Sequence, residues 1–210
     1  MSVSMTSKEP DRSPNSSSDR LRAFVTSIHP TRFATRLDPL LSAPTVLRLQ
    51  KSPRLQRRLA GLLLDSEIEQ NGRDWVSDLL LGHDPRRAAL LAGGIWYARS
   101  LLKLVSKKDL SILVGMIGAE VHSFGIRHLS SAVATRSIID PEQLSRQIEH
   151  DGHACLGAWL NEAPALDRTR VLLRLPIGTA AENPAAEHRN AAGPLLSLIM
   201  GHLATEAPTV

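Results

Sequence analysis

An all-α fold is what this 210-residue sequence predicts, and three features carry the prediction. Apolar residues recur at steps of three and four along most of the chain, and nothing alternates with period two for more than a few residues. The core material is Leu, Ile, Val and Ala, with only three Trp, three Phe and one Tyr, which suits helices better than sheets. Three pairs, Ser52-Pro53, Asp84-Pro85 and Asp140-Pro141, each set a capping oxygen before a proline whose missing N–H costs nothing at the first helical position. The length suits one domain. The expected architecture is a single orthogonal or bundle-like helical domain over residues 20–205, behind a polar tail at 1–19 and with a frayed end at 206–210.

Residues 1–19 are rich in Ser, Pro, Asp and Lys, and hold too little apolar surface to offset the entropy of ordering, so disorder is expected there. Leu21, Phe24, Val25 and Ile28 then have helical spacing up to Pro30, and Phe33 and Leu37 continue it to Pro39. A short apolar set, Val46, Leu47 and Leu49, precedes the start at Ser52-Pro53. Leu55, Leu59, Leu62 and Leu63 form the next stripe, with Arg54, Arg57 and Arg58 on its other side. Trp75, Val76, Leu79 and Leu80 read as a short helix closed by Gly82.

The stretch from Asp84 to Leu129 is the longest apolar-rich block. Leu91, Ile95, Ala98, Leu102 and Val105 share one helical face, widened by Leu90 and Leu101, with Trp96 beside it. Ser106 restarts a helix with Asp109 three residues on, a variant of the capping box, and Leu110, Leu113, Val114 and Ile117 follow, flanked by Ile112 and Met116. These two helices are expected to form a hairpin that the rest of the chain covers. After it, Asp140-Pro141-Glu142 opens a helix on which Leu144, Ile148, Cys155 and Trp159 share a face, so Trp159 is expected to be buried. Gly152 weakens its middle and Pro164 ends it. The apolar run at residues 168–175 is ambiguous between a strand and helical turns. Residues 177–190 read as a loop, and Leu195, Leu196, Ile199, Met200 and Leu203 mark a last amphipathic helix.

Charge is uneven. Residues 1–60 hold eleven Lys or Arg against four Asp or Glu, whereas residues 61–210 hold fourteen against seventeen. A basic front half suits nucleic acid, anionic lipid or an acidic protein, but basic residues alternate with apolar ones and no run of five like charges occurs. One cysteine, Cys155, rules out an internal disulfide. The first residues have no apolar stretch of the kind a secretory signal needs, and the longest uncharged apolar run, Leu110 to Ala119, is about half a membrane span. A soluble cytoplasmic protein is expected.

Chemistry-bearing residues are sparse. His150, His153 and Cys155 are of the types that ligate zinc or form a nucleophilic pair. His153 and Cys155, two apart on a helix, point to different faces, and neither HExxH nor CxxC is present. His122 and His128 form no ligand pair. Gly93-Gly94 and Gly115 to Gly118 fit no phosphate-binding motif, and small residues inside a helix more often admit a neighbouring helix. The break at Ser106 could be a helix-turn-helix corner with Lys107 and Lys108 opening the second helix, but that helix is too apolar to lie in a groove. No metal, cofactor or catalytic set is expected. Arg54, Arg57 and Arg58 remain the candidate partner-binding group, and a basic nucleic-acid-binding regulator is the alternative reading.

Three segments carry a likeness: Ile28-His29-Pro30-Thr31-Arg32-Phe33, then Cys155-Leu156-Gly157-Ala158-Trp159-Leu160, then Arg170-Val171-Leu172-Leu173-Arg174-Leu175-Pro176. In order and spacing, around the central block, the chain resembles the SctK family of type III secretion accessory proteins (YscK, PscK, MxiK and OrgA), nearest to its rhizobial nodulation branch. The likeness covers residues 21–203. It implies a mostly helical, non-enzymatic protein at the cytoplasmic face of the inner membrane, held there by protein partners without inserting into the bilayer itself. Those partners are the cytoplasmic domain of the inner-membrane ring protein and the pod protein of the sorting platform. The family brings no catalytic residues to carry over.

Overall fold

The computed structural model describes residues 17–64, 80 and 82–205, and the side chains of all of these but 17–21 and 64. Within them lie eleven α-helices and no strand. They are α1 (Ser17–Ser27), α2 (Pro30–Leu37), α3 (Ala43–Lys51), α4 (Gln56–Leu64), α5 (Pro85–Trp96), α6 (Ala98–Lys103), α7 (Lys107–Ile117), α8 (Ala119–Arg127), α9 (Pro141–Leu160), α10 (Ala165–Leu173) and α11 (Arg189–Ala204). The ambiguous run at 168–175 is mostly helical, as α10 and the turn after it. The loop at 177–190 includes a 3₁₀ turn, Ala186–His188. The short helix expected around Trp75 lies outside the described residues apart from Leu80, which is buried, and Gly82.

Two of the three cap-plus-proline starts form as read. Asp84 Oδ1 accepts the Arg86 N–H at 2.9 Å, and Asp140 Oδ1 accepts the Gln143 N–H at 2.6 Å. Ser106 Oγ likewise accepts the Asp109 N–H at 3.4 Å ahead of α7. Ser52 instead ends α3, its N–H donating to Leu49 O, and Pro53 lies in the turn before α4.

The expected central hairpin does not form. α5 packs most extensively on α9 and next on α8, while α7 packs on α9 and α8. Glycines decide the pairing. A Cβ on Gly93 would meet Ile148 O at 1.9 Å, and one on Gly152 would meet Ala89 O at 2.0 Å, so the α5 and α9 backbones touch where they cross. Gly94 and Gly125 do the same for α5 against α8. Gly152, read from sequence as a weak point, is what admits α5. Gly118, by contrast, has φ +89°, a left-handed conformation that a side chain would strain, and sets the 106° bend from α7 to α8. No single described helix is long and apolar enough to cross a membrane.

The expected apolar face across 91–105 also needs correction. Leu91, Ile95, Ala98 and Leu101 are buried, but Leu102 and Val105 are exposed. The helix breaks at Tyr97 (φ −99°, ψ 20°), which rotates α6 so that Leu101 and Leu104 turn inward instead. On α9, Leu144, Ile148 and Cys155 are buried as expected, whereas Trp159 is only half-buried against the core. All five apolar residues named for the last helix are buried.

Two apolar cores result. The larger unites α5 to α9 and α11 with Val171 and Leu175. The smaller, Val25, Ile28, Phe33, Val46, Leu59, Ala60 and Leu63, belongs to α1–α4 and reaches the bundle through Leu173 at the end of α10. Burying each of the larger of these side chains contributes about 2 kcal/mol. The α1–α4 layer therefore has a core of its own.

Candidate interaction surface and the polar groups beneath it

The candidate arginines stand on the outside of this layer. Arg57 and Arg58 are exposed on α4, and Arg54 is exposed in the turn before it. Leu59 and Leu63 turn inward and Leu55 is half-buried, but Leu62, expected on the same stripe, is 57% exposed and lies one turn beyond Arg58. Arg36, Arg48 and Lys51 are exposed on α2 and α3. Residues 17–64 hold nine Lys or Arg against two Asp or Glu, so the layer as a whole presents positive potential. Exposed Leu40 and Leu47 add apolar contact area. Inside, Gln50 is buried and its side-chain amide donates to Ile28 O at 2.7 Å, tying α3 to the end of α1.

A polar seam joins the layer to the bundle, and it is made by two of the segments that carry the family likeness. His29 caps α2, and its backbone N–H donates to Leu173 O at 2.9 Å. Arg32 donates from Nε to Leu175 O at 3.0 Å and from a terminal nitrogen to Pro176 O at 3.1 Å, and pairs with Glu182 at 2.5 Å. The Ile177 N–H donates to Thr31 Oγ1 at 3.3 Å. Behind this seam, Arg174 donates to Leu80 O, and to His83 O at 2.8 Å. Burial lowers the pKa of Arg174 and, with the nearby Arg32 and Arg86 charges, that of His29.

The residues considered for metal or nucleophilic chemistry do not converge. His150 lies outside, 2.8 Å from Asp151 Oδ1. His153 is buried, with Nδ1 2.7 Å from Glu149 O and Nε2 without a partner, and burial holds its pKa below the usual imidazole value. Burial in the core pushes the Cys155 thiol up to about 12, which removes thiolate character. His128 packs on the Phe124 ring at 4.5 Å, and His122 is half-buried. Among the described residues no group of three or more His, Cys, Asp or Glu could hold a metal ion.

One buried group escaped the sequence reading. Tyr97 donates from its hydroxyl to Asp151 Oδ2 at 2.5 Å, and burial, reinforced by that hydrogen bond, raises the phenol well above its usual range. His188 lies 3.4 Å from Asp151 Oδ1, outside hydrogen-bond geometry, and stacks on Trp96 at 4.8 Å. Asp151 stands seven residues after Leu144, hence on the buried stripe, and an acid there was the available signal. The group pins the Tyr97 break to α9. A second tie, Arg87 with Glu120, and His202 3.2 Å from the same carboxylate, joins α5, α8 and α11; the Arg87 hydrogen bond holds the Glu120 carboxyl below its usual range.

No family model matches this sequence, and no solved structure does. Among curated proteins, the chain is 60% identical over 208 residues to nodulation protein NolU of Sinorhizobium fredii (strain NBRC 101917 / NGR234), covering 99% of this chain and 98% of the relative. It is equally similar, over the same shares, to nodulation protein NolU of Rhizobium fredii. The aligned region spans nearly the full length of both chains, and so the α1–α4 layer, the seam and the bundle: the chain belongs to the NolU family of nodulation proteins.

Proposed function

We propose that this NolU-family chain is a non-enzymatic cytoplasmic adaptor of a bacterial type III secretion system. In this reading it links the cytoplasmic domain of the inner-membrane ring protein to the sorting platform through the pod protein, and it sits at the inner membrane through those partners. The observation that carries the reading is the division of the molecule into a strongly basic helical layer with its own core and an apolar bundle joined to it by a polar seam. Two such units offer separate surfaces to two partners, and charge on one of them sets encounter rate and register. The likeness to the SctK family supports the same assignment. Co-purification of the chain with the ring protein's cytoplasmic domain and with the pod protein tests it. Capture of both is expected, and capture of neither would sink it.

The basic layer also favours a second reading, a regulator that binds nucleic acid. Such binding would weaken steeply with salt, because each neutralised phosphate releases a counterion. A filter-binding titration that shows no retention of DNA or RNA at low salt removes it.

A further inference from the structure

The turn between α6 and α7 leaves large apolar side chains in water beside four exposed cations, with Asp109 the one acid that adjoins them in sequence. Val105 is 89% exposed and Leu102 is 56% exposed, because the break at Tyr97 turns them away from the core. Arg99, Lys103, Lys107 and Lys108 are all exposed around them, and residues 98–108 contain no Asp or Glu. Lys103 Nζ donates to Ser137 Oγ at 2.7 Å, while neither Lys107 nor Lys108 meets a carboxylate among the described residues. The exposed side of α7 continues the apolar character: Ile112 and Met116 follow Lys108 at successive turns, with only Ser111 and Gly115 beside them.

We propose that this turn and the outer face of α7 dock on an anionic lipid surface. Apolar and cationic groups interleave here at single-residue spacing, through Leu102, Lys103, Val105 and Lys107. A protein partner would need a matching pocket for each apolar group and a carboxylate for each lysine. A lipid surface meets both needs without such matching: Val105 and Leu102 enter the boundary of the acyl chains while the lysine stems extend to phosphates above it. Charge complementarity therefore selects anionic headgroups. No spanning helix is required, which narrows the expected lack of insertion to a lack of crossing. The contact does not depend on the adaptor role.

The test is co-sedimentation of the full chain with phosphatidylcholine vesicles prepared with and without phosphatidylglycerol. Binding should require phosphatidylglycerol and fall with salt. Leu102→Ser with Val105→Asp, and separately Lys103→Glu with Lys107→Glu and Lys108→Glu, should each weaken it about tenfold or more, at unchanged circular dichroism. Arg54→Glu with Arg57→Glu and Arg58→Glu should leave it intact. The proposal is overturned if the parent chain stays in the supernatant, if it binds phosphatidylcholine alone equally, if both turn variants bind like the parent, or if the loss appears in the α4 variant instead. It is equally overturned if the turn variants lose capture of a protein partner while vesicle binding is absent throughout.

Discussion

The two cores of this molecule are held together in different ways. Where α5 crosses α9, backbone lies on backbone, with Gly93 against Ile148 O and Gly152 against Ala89 O and no room for a methyl group on either side. In the α1–α4 layer, side chains such as Phe33, Val46 and Leu63 fill the interior, and Gly61 has nothing within 4 Å of where a Cβ would stand. The crossing admits one geometry and little change. The layer keeps its constraint inside and leaves its outer surface free to vary in charge. The contrast is between a crossing fixed by backbone contact and a layer fixed by side-chain packing.

The sharpest way to break the comparison is to add a methyl at the crossing. Gly93→Ala or Gly152→Ala forces a Cβ onto a carbonyl oxygen that cannot rotate away, so α5 and α9 must separate. A loss of about 3 kcal/mol or more in denaturant unfolding is expected. If either variant unfolds at the parent's midpoint, the helices do not touch through their backbones.

The seam comes next. Arg32→Ala strips donors from Leu175 O and Pro176 O and leaves Glu182 without its cation, for an expected cost of about 2 kcal/mol. If the layer is held by its own core, faster hydrogen exchange should reach the seam contacts first while the α5–α9 amides stay protected. Uniform loss of protection over the whole chain would show the two cores to be one cooperative unit.

Acid should act on the bundle. His153 is buried with a lowered pKa, so below its unfolded value of about 6.5 the unfolded chain takes up a proton that the folded chain resists. The stability it contributes is present above that value and is lost as pH falls through its depressed folded value. Glu120, also lowered, acts in the same direction at more acid pH. Melting temperature should therefore fall between pH 7 and 5, and His153→Gln should flatten that slope. An unchanged slope would locate the titration elsewhere.

Much of this was legible in the sequence where the cause is local. Asp84, Ser106 and Asp140 cap their helices because capping depends on neighbours two or three residues away. The stripe Leu144, Ile148 and Cys155 is buried because helical period alone places it. What was not legible depends on distant partners. The match of Gly93 to Gly152 joins residues that nothing in either local pattern connects, so helical period alone pairs α7 with α5 in place of α9. The break at Tyr97 is fixed by the Asp151 carboxylate on another helix, and with it the exposure of Leu102 and Val105. The stripe beneath the arginine group places it outside, but Leu62 is exposed because the inward face of α4 centres on Gln56, Leu59, Ala60 and Leu63, away from position 62.

A smaller effect of opposite sign checks the same contrast within the bundle. Gly115 lies in the middle of α7 with nothing within 4 Å of its Cβ position. Gly115→Ala should stabilise by about 0.5–1 kcal/mol, since it removes unfolded-state freedom at no steric cost. Destabilisation would mean that α7 is packed more closely than its exposure implies.

The smallest effect on stability is expected from the group that matters most for the proposed role. Arg54, Arg57 and Arg58 are exposed, and no carboxylate among the described residues pairs with them. Reversing all three to Glu should leave the melting temperature unchanged, since exposed charges of this kind contribute little to folding. The layer's positive surplus would then be almost cancelled, so association with an acidic partner surface should slow, and its dependence on salt should disappear. Dissociation should change less, because rim charges act mainly on encounter. Stopped-flow association with the ring protein's cytoplasmic domain and with the pod protein separates these effects. Unchanged association rates in a folded triple variant would make these arginines ordinary solvated charge.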